Sequence, residues 1–248
     1  GEIQMIRAVF LAHSGFLVEL PSATLLFDWW KGELPAIRPE VPLLVFASHH
    51  HPDHFNRKIF RLAEAGREIR YLLGKDIKPT ARQKERWGLD EAAAARCVFL
   101  GGGQRLEAIP GVTVETLPST DEGAAFLVSA DGLAVFHAGD LNWWHWEGED
   151  KAWNTNMAAN FRRYTEPLRG RRIDLAMLPL DPRLGPAGFW GPKAFLELAD
   201  IRRCLPMHQW EDFGFTDRFL AEYPTFAGQV QKVTENWEVF VFNGETAQ

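Results

Sequence analysis

The segment that most constrains this chain is a histidine-rich loop directly after an apolar run. The run 41–46 has the composition of a buried strand, and the loop after it contains His49, His51, Asp53 and His54. Imidazole nitrogens and carboxylate oxygens are ligands that borderline divalent metals prefer. Residues two apart on an extended segment can point to the same side, so His49 and His51 could share one ion. Asp53 and His54 lie beyond the next turn and could reach a second ion.

Length and composition exclude several classes of protein. The 248 residues can bury a large core, and no apolar run approaches the ~20 residues that span a bilayer. The formal net charge of −6 argues against a nucleic-acid partner, because binding a polyanion depends on clustered Lys and Arg. The first residues show no basic stretch followed by an apolar one, so we expect a cytoplasmic protein. Cys97 and Cys204 stand alone in apolar segments, which favours free thiols over a disulfide.

Two strand-rich blocks, each followed by helices, predict the fold. The predicted strands are 6–11, 16–20, 24–27, 41–46, 71–73, 96–100, 112–117, 124–129, 133–137, 173–178, 204–207 and 239–242. The predicted helices are 56–65, 80–86, 155–168, 192–201 and 216–222. Between two strands, Asp131-Gly132 is a strong hairpin signal. We therefore predict one α/β (α+β) domain over residues 1–248, with two sheets in a sandwich and helices outside.

Three further segments place metal-binding atoms at the end of an apolar strand. Asp140 follows the strand 133–137, and its two carboxylate oxygens could bridge two ions. His208 ends the strand that begins at Cys204. Asp121 ends a third segment with an oxygen donor. If these strand ends share an edge with the histidine loop, the donors meet there.

The order of these motifs resembles that of a known superfamily. The sequence His49-x-His51-x-Asp53-His54, then Gly139-Asp140, then His208 resembles the metallo-β-lactamase-fold hydrolases. Further details are similar to the branch that contains L-ascorbate phosphate lactonase and related hydrolases, namely His13-Ser14-Gly15, His137-Ala138-Gly139-Asp140 and Pro206-Met207-His208. The resemblance implies a four-layered αββα sandwich with the metals at one edge of the sheets.

The resemblance also implies roles for single residues. Six matching residues would hold metal: His49 and His51 the first ion, Asp53, His54 and His208 the second, and Asp140 both. Asp28, His13 and His137 would stand behind these ligands, with Asp28 orienting the histidine loop. His13 and His145 are candidates for proton delivery. For both, a packed ring bonded to backbone is the alternative.

One position departs from the family pattern. The family usually supplies a third histidine to the first metal from the segment corresponding to 119–121, and none is present there. Asp121 could substitute as an oxygen ligand, His145 could swing in, or the first site could be weak or empty. We favour a firmly held second ion and a first site of altered affinity. An oxygen ligand shifts preference toward manganese or iron, so we expect one or two divalent ions, zinc first, with manganese or iron as alternatives.

The leading functional hypothesis is a hydrolase that uses a metal-bound hydroxide on a small ester, lactone, amide or phosphoester. Asp53 would orient the hydroxide or accept its proton. Arg183 could clamp a carboxylate or phosphate of the substrate, although an Asp-Pro-Arg turn also commonly closes a local salt bridge. Trp144 belongs to a group of tryptophans that could wall an apolar cleft.

Two other functions remain open at this point. The missing histidine fits a degenerate metal-binding or sensor protein of the same fold, and some relatives of the fold are iron-dependent oxidoreductases. We expect a small-molecule substrate and neither a nucleic-acid nor a membrane partner. Association of the chain with copies of itself is left open.

Overall fold

The computed structural model describes residues 3–245. In chain order the strands are Ile3–Phe10 (β1), Phe16–Glu19 (β2), Thr24–Phe27 (β3), Leu43–Ala47 (β4), Ile69–Gly74 (β5), Cys97–Leu100 (β6), Arg105–Ile109 (β7), Val112–Pro118 (β8), Ala124–Ala130 (β9), Leu133–His137 (β10), Arg172–Ile173 (β11), Leu175–Pro179 (β12), Asp200–Ile201 (β13), Cys204–Met207 (β14) and Val239–Glu245 (β15). The α-helices are Ala81–Trp87 (α1), Glu91–Ala95 (α2), Lys151–Thr165 (α3), Trp190–Leu198 (α4) and Phe215–Glu222 (α5). The 3₁₀ helices are Arg57–Ala65, Lys75–Ile77, Glu166–Leu168, Pro182–Phe189 and Pro224–Phe226.

Two large sheets carry the functional residues at matching edges. The first has the order β15-β1-β2-β3-β4-β5-β6, and the second β14-β12-β10-β9-β8-β7, while β11 and β13 form a small separate pair. In the first sheet β1 and β3 are both antiparallel to β2, and β4 is parallel to β3. In the second, β10, β12 and β14 are parallel, and β8 shares their direction through β9. The carboxyl ends of β1, β3 and β4 therefore lie at one edge, and those of β8, β10, β12 and β14 lie at another.

Packing arranges the molecule in four layers. Between the sheets, the ring of Phe46 contacts that of Phe126 at a centroid distance of 5.1 Å. Helices α3 and α4 cover the second sheet, where Phe195 lies 5.7 Å from Phe136. The 3₁₀ helix Arg57–Ala65 and helices α1 and α2 cover the outer face of the first sheet. The predicted four-layered αββα sandwich is confirmed.

Local signals explain most of the boundaries. Asn56 caps the first helical segment by accepting from the amide of Lys58, and Gly66 ends it at a φ of 73°, but the segment is 3₁₀ rather than α. Helix α3 begins before its predicted start because Asp150 accepts from the amide of Trp153. The Asp131-Gly132 pair forms the predicted hairpin between β9 and β10. The strands β7 and β13 and the helix α2 were not predicted, and β13 occupies residues 200–201, where the predicted helix 192–201 was expected to end.

Two further expectations concern the cysteines and membrane spans. Cys97 and Cys204 are free thiols, as predicted. Among residues 3–245, no helix combines the length and apolarity that crossing a bilayer requires.

Candidate metal centre

The candidate metal centre lies where strand ends of the two sheets meet. From the first sheet, His13 follows β1, Asp28 follows β3, and the loop 48–54 follows β4. From the second sheet come the residues after β8, β10, β12 and β14, namely Asp121, Asp140, Asp181 and His208. Parallel strands within each sheet thus deliver side chains from distant parts of the chain to a common place.

The first group of donors contains His49, His51, Asp121 and Asp140, whose ligand atoms all lie within 4.8 Å of one another. Asp140 Oδ2 is 3.2 Å from His49 Nε2, and Asp121 Oδ2 is 3.7 Å from His51 Nδ1. Of the two residues proposed to replace the missing histidine, the structure brings Asp121 to this group. The group could hold one ion with two nitrogens and carboxylate oxygens.

The second group contains His13, Asp53, His54 and His208, again within 4.8 Å. Asp140 reaches this group as well, because its Oδ1 lies 3.1 Å from His54 Nε2 and 3.2 Å from His208 Nε2. Its other oxygen faces His49, so Asp140 stands between the two groups. This is the position that a bridging carboxylate would take.

The donor set fits a metal because three of its imidazole nitrogens are buried without a hydrogen bond. Nε2 of His49, His54 and His208, and Oδ1 of Asp140, are fully enclosed and have no hydrogen-bond partner in the described chain. Unpaired buried polar atoms destabilise a fold, and native structures rarely keep several at one point. These atoms converge on one place, where one or two cations would satisfy them all.

The opposite ring nitrogens are fixed by partners that turn Nε2 toward the centre. His54 Nδ1 lies 2.7 Å from Asp28 Oδ2, and His208 Nδ1 lies 2.9 Å from Asp181 Oδ2. His49 Nδ1 lies 2.8 Å from Ser48 Oγ. Such partners set the tautomer and the orientation of metal-binding imidazoles.

Asp28 connects the two groups. Its carboxylate accepts from the backbone amide of Ser48 at 2.7 Å and from the Ser48 hydroxyl at 2.6 Å, besides its contact with His54. Because Ser48 also contacts His49, one buried carboxylate positions a nitrogen donor in each group. Asp28 itself has a φ of 45°, an uncommon conformation for a residue that is not glycine.

Close backbone packing holds Ser48 in this place. Gly139, which precedes Asp140, has a φ of 54°, and a Cβ there would lie 2.7 Å from the Cβ of Ser48. Gly123 has a φ of 76°, and its Cβ would lie 1.7 Å from the Ser48 carbonyl oxygen. The histidine loop of the first sheet therefore rests directly on two turns of the second.

The donor side chains of the site shift one another's pKa values. Burial alone would raise the pKa of Asp140, but His54 and His208 outweigh it and hold that pKa well below its usual value. Burial lowers the pKa of His54, but Asp140 outweighs it and raises the pKa well above the ordinary value. Burial and the neighbouring Asp140 raise the pKa of Asp121. A cation between the two aspartates would relieve their repulsion.

His13 lies closer to the donors than the sequence analysis proposed. It belongs to the second group, and its Nε2 is 3.1 Å from Asp53 Oδ2. Burial lowers the pKa of His13 to about 4, so its imidazole is neutral at physiological pH. His13 has a φ of 58°. Its carbonyl oxygen accepts a hydrogen bond from the amide of His208 at 3.1 Å, and this bond connects the end of β1 to the end of β14.

Two predicted site residues bond to none of the donor side chains among the described residues. His137 packs flat on Phe27, and both ring nitrogens bond to backbone, at the carbonyl of Ser14 and the amide of Gly139. It lies behind the site but, among the described contacts, bonds to no donor side chain. His145 packs on Trp190 at a ring distance of 4.7 Å and is in neither group. Its neighbour Trp144 faces the centre instead, because the Trp144 indole donates to the carbonyl of Asp140 at 2.8 Å.

Asp181 is the residue that sequence reasoning missed. It is completely buried and contacts His208 Nδ1, the guanidinium of Arg183 and the indole of Trp210. Burial would raise its pKa, but His208 and Arg183 lower it to about 2. The Asp-Pro-Arg turn signalled the contact with Arg183. Nothing local signalled the contact with His208, which is 27 residues away.

Comparison with known proteins agrees with the geometry. The sequence profile of the β-lactamase superfamily domain matches residues 7–150. A UPF0173 metal-dependent hydrolase of Opitutus terrae is 31% identical over 223 residues, which cover 82% of this chain and 84% of the relative. The chain belongs to the β-lactamase superfamily. Its curated relatives are named as metal-dependent hydrolases, and the chain is a member of that group of enzymes.

Solved structures share the fold of this chain at low sequence identity. The metallo hydrolase Igni18 of Ignicoccus hospitalis superposes with a TM-score of 0.66 at 17% identity, over 97% of this chain and all of the other (100%). CmlA, a diiron β-hydroxylase of Streptomyces venezuelae, gives 0.62 at 12% identity, over 98% of this chain and 54% of CmlA. The superfamily fold thus serves more than one chemistry, and the site must decide between them.

Proposed function

We propose that this chain hydrolyses a small ester, lactone, amide or phosphoester with one or two divalent metal ions held by the two donor groups. The observation that carries the proposal is the convergence of three orphaned imidazole nitrogens on the carboxylate of Asp140. Ions held there would lower the pKa of a coordinated water toward neutrality and polarise a carbonyl or phosphoryl oxygen.

Two members of the second group, Asp53 and His13, would accept and position the proton of the attacking water. Asp53 is half-buried, and its Oδ2 lies 3.3 Å from His54 Nε2 and 3.1 Å from His13 Nε2. Burial would raise its pKa, but the hydrogen bond with His13 and the nearby imidazole of His54 lower it, so Asp53 is ionised and able to accept a proton. The neutral ring of His13 would donate to Asp53 and keep its other oxygen available.

The cleft above the donors provides room for a small substrate. The cleft consists of two adjoining cavities, and both are lined by Asp121, Asp140, Arg183 and His208. Trp144 and Trp146 wall one side, and Trp30 and Trp210 the other. An apolar wall with a few convergent polar groups is typical of small-molecule sites.

A specific observation supports a second candidate function. The first group pairs two histidines with two carboxylates, and oxygen ligands favour manganese or iron over zinc. An iron-dependent oxidation is therefore the alternative to hydrolysis. Iron that changes oxidation state on exposure to oxygen, without hydrolysis, would favour it.

The test measures metal content and turnover in the same preparation. Protein purified without added metal is analysed for its elements. Turnover of aryl esters, lactones, anilides and phosphodiesters is then measured before chelation, after chelation and after reloading. Activity that disappears with the metal and returns with it is the expected result.

Two adjacent histidines give a matched pair of variants for this test. His49→Gln removes a donor and should abolish turnover. His50→Gln should retain most of the turnover, because His50 belongs to neither the first nor the second group and its Nδ1 faces Asp76 at 2.6 Å and Glu122 at 2.9 Å. A metal-loaded protein that turns over none of these substrates would contradict hydrolysis, and a tightly held ion in such a protein would favour the binding or sensor role.

A further inference from the structure

Arg183 is held in the cleft with part of its hydrogen-bonding capacity unused. Its Nε and Nη2 donate to Asp181 at 3.0 and 2.7 Å, while Nη1 has no acceptor among the described residues. A guanidinium carries five N–H groups, so three remain available. The Arg183 side chain is 46% exposed, whereas that of Asp181 is fully buried. A salt bridge between Arg183 and Asp181 that served only to stabilise the turn would not require exposed, unpaired N–H groups on the guanidinium.

The position of the guanidinium is fixed relative to the metal donors. Asp181 contacts both Arg183 and His208, so one buried carboxylate orients the cation and a donor imidazole together. The guanidinium also contacts two indoles, with its carbon 5.4 Å from the ring of Trp146 and 4.7 Å from that of Trp210. These cation–π contacts restrict its movement.

A tryptophan chamber lies beside Arg183. Its walls are Trp144, Trp146, Trp153 and Met157, and the cavity measures about 210 Å³. The rings of Trp144 and Trp146 are nearly parallel, at 6.2 Å and 6°. The chamber opens onto Asp121, Asp140 and His208, so a flat group inside it would adjoin the metal donors.

The charges of the cleft make Arg183 the residue that would select an anion. Asp53, Asp121 and Asp140 line the cleft, and Arg183 is the only Arg or Lys among its described lining residues. A guanidinium with N–H groups available is well suited to a carboxylate or phosphate, because charge-assisted hydrogen bonds are among the strongest in proteins.

We propose that the substrate joins a flat apolar group, such as an aromatic ring, to an oxyanion. The ring occupies the tryptophan chamber, the oxyanion binds the free edge of Arg183, and the bond to be cleaved lies over the donor groups. The position of the bond to be cleaved rests on the proposed hydrolysis. Binding of the ring in the chamber and of the oxyanion by Arg183 can be tested without turnover.

The test measures binding of small probes to the metal-loaded protein by calorimetry. The probes are phenylacetate and phenyl phosphate, which carry both features, benzyl alcohol, which lacks the anion, and acetate, which lacks the ring. We expect each aromatic oxyanion to bind at least about tenfold more tightly than benzyl alcohol or acetate. The stronger of the two aromatic probes identifies whether a carboxylate or a phosphate is preferred.

Variants distinguish binding of the anion by Arg183 from binding of the anion by the metal. Arg183→Gln should weaken both aromatic oxyanions about tenfold or more, at unchanged metal content, while benzyl alcohol binds as before. Arg183→Lys keeps the charge but not the planar guanidinium, so its affinity for these probes should lie between those of the unchanged protein and Arg183→Gln. Arg171→Gln is the matched control, because Arg171 also pairs with a carboxylate, that of Glu115 at 2.8 Å, but outside the cleft. Trp146→Ala should weaken phenylacetate and leave acetate unchanged.

The outcomes distinguish this inference from the proposed function. If Arg183→Gln, with its metal intact, binds phenylacetate and phenyl phosphate as tightly as the unchanged protein, the inference is wrong. Benzyl alcohol binding as tightly as phenylacetate would also overturn it. If the binding pattern holds but no substrate is hydrolysed, the proposed hydrolysis fails and the assignment of the subsites stands.

Discussion

At the scale of single residues, two of the acidic donors, Asp121 and Asp140, differ in the groups that they contact. Asp140 places one oxygen toward each group, whereas Asp121 belongs to the first group alone. His208 belongs to the second group, with Asp181 behind it. Substitutions at these positions should therefore remove different ions.

Asp121→Ala should lower the metal content by one ion and leave the second group loaded, because it removes a donor of the first group only. His208→Ala should remove the other ion. The measurement is elemental analysis of each protein after dialysis against metal-free buffer. Loss of both ions from either variant would contradict separate sites.

Asp121→His restores the nitrogen donor that the family pattern usually has at this position. We expect it to shift the metal preference of the first group toward zinc over manganese, since nitrogen ligands suit zinc better than oxygen ligands do. Competition between the two ions, followed by elemental analysis, measures the shift. Asp121→Asn keeps an oxygen donor and serves as the control, with no such shift expected.

At the scale of secondary-structure elements, the turn after β10 supports the histidine loop. Gly139→Ala should destabilise the fold for two reasons. A left-handed φ is unfavourable for alanine by about 1–2 kcal/mol, and overpacking against Ser48 adds about 1–3 kcal/mol. Gly111→Ala shares the first effect without the second, because its φ is 81° and no atom lies within 4 Å of the added Cβ. Urea unfolding of both variants measures the difference.

A second readout ties this turn to the site. The methyl group of Gly139→Ala would displace Ser48, which contacts both His49 and Asp28. We therefore expect weaker metal retention in Gly139→Ala and normal retention in Gly111→Ala. Equal stability and equal metal content in the two variants would show that the close approach to Ser48 is unimportant.

The elements were more predictable than the contacts between them. The apolar runs and turn residues locate β3, β10 and β14 at their observed bounds, and Asn56 and Gly66 mark the ends of a helix. Strand β7 is half-exposed and α2 is one short alanine-rich segment, so neither has a strong periodic pattern. The donors could be named because each follows an apolar strand.

The partners behind the donors could not be named in the same way. Asp181 reaches His208 only because β12 and β14 are neighbours in the second sheet. His13 enters the second group because its carbonyl bonds to the amide of His208, a contact between the two sheets. Such contacts join residues that are distant in the chain, so they cannot be predicted from local sequence. His145 was a reasonable candidate in sequence, but the turn after Trp143 directs its ring to Trp190.

At the scale of the whole molecule, two buried thiols and a buried tyrosine hydroxyl outside the metal centre make the stability of the fold sensitive to high pH. Burial raises the pKa of the Cys97 thiol to about 11 and also raises the pKa values of Cys204 and Tyr71. Each group holds its proton more tightly in the folded chain than in the unfolded one. Their contribution to stability is therefore fully present below the unfolded pKa and is lost as the pH rises through the folded value.

We expect the free energy of unfolding to fall as the pH rises above about 9, with the contribution of Cys97 lost through about 11. Urea unfolding at pH 8 and pH 10.5 measures the change. Cys97→Ala should reduce the dependence on pH because it removes one of the three groups. A free energy that stays constant up to pH 10.5 would contradict the expectation.

The fluorescence of the tryptophans around the cleft can report which metal ion is bound. The rings of Trp144 and Trp210 lie 5.5 and 5.6 Å from the ring of His208. Paramagnetic ions such as Mn²⁺ quench nearby indole emission strongly, whereas diamagnetic Zn²⁺ does not. Fluorescence during loading should therefore distinguish these ions in solution, before any reaction is assayed.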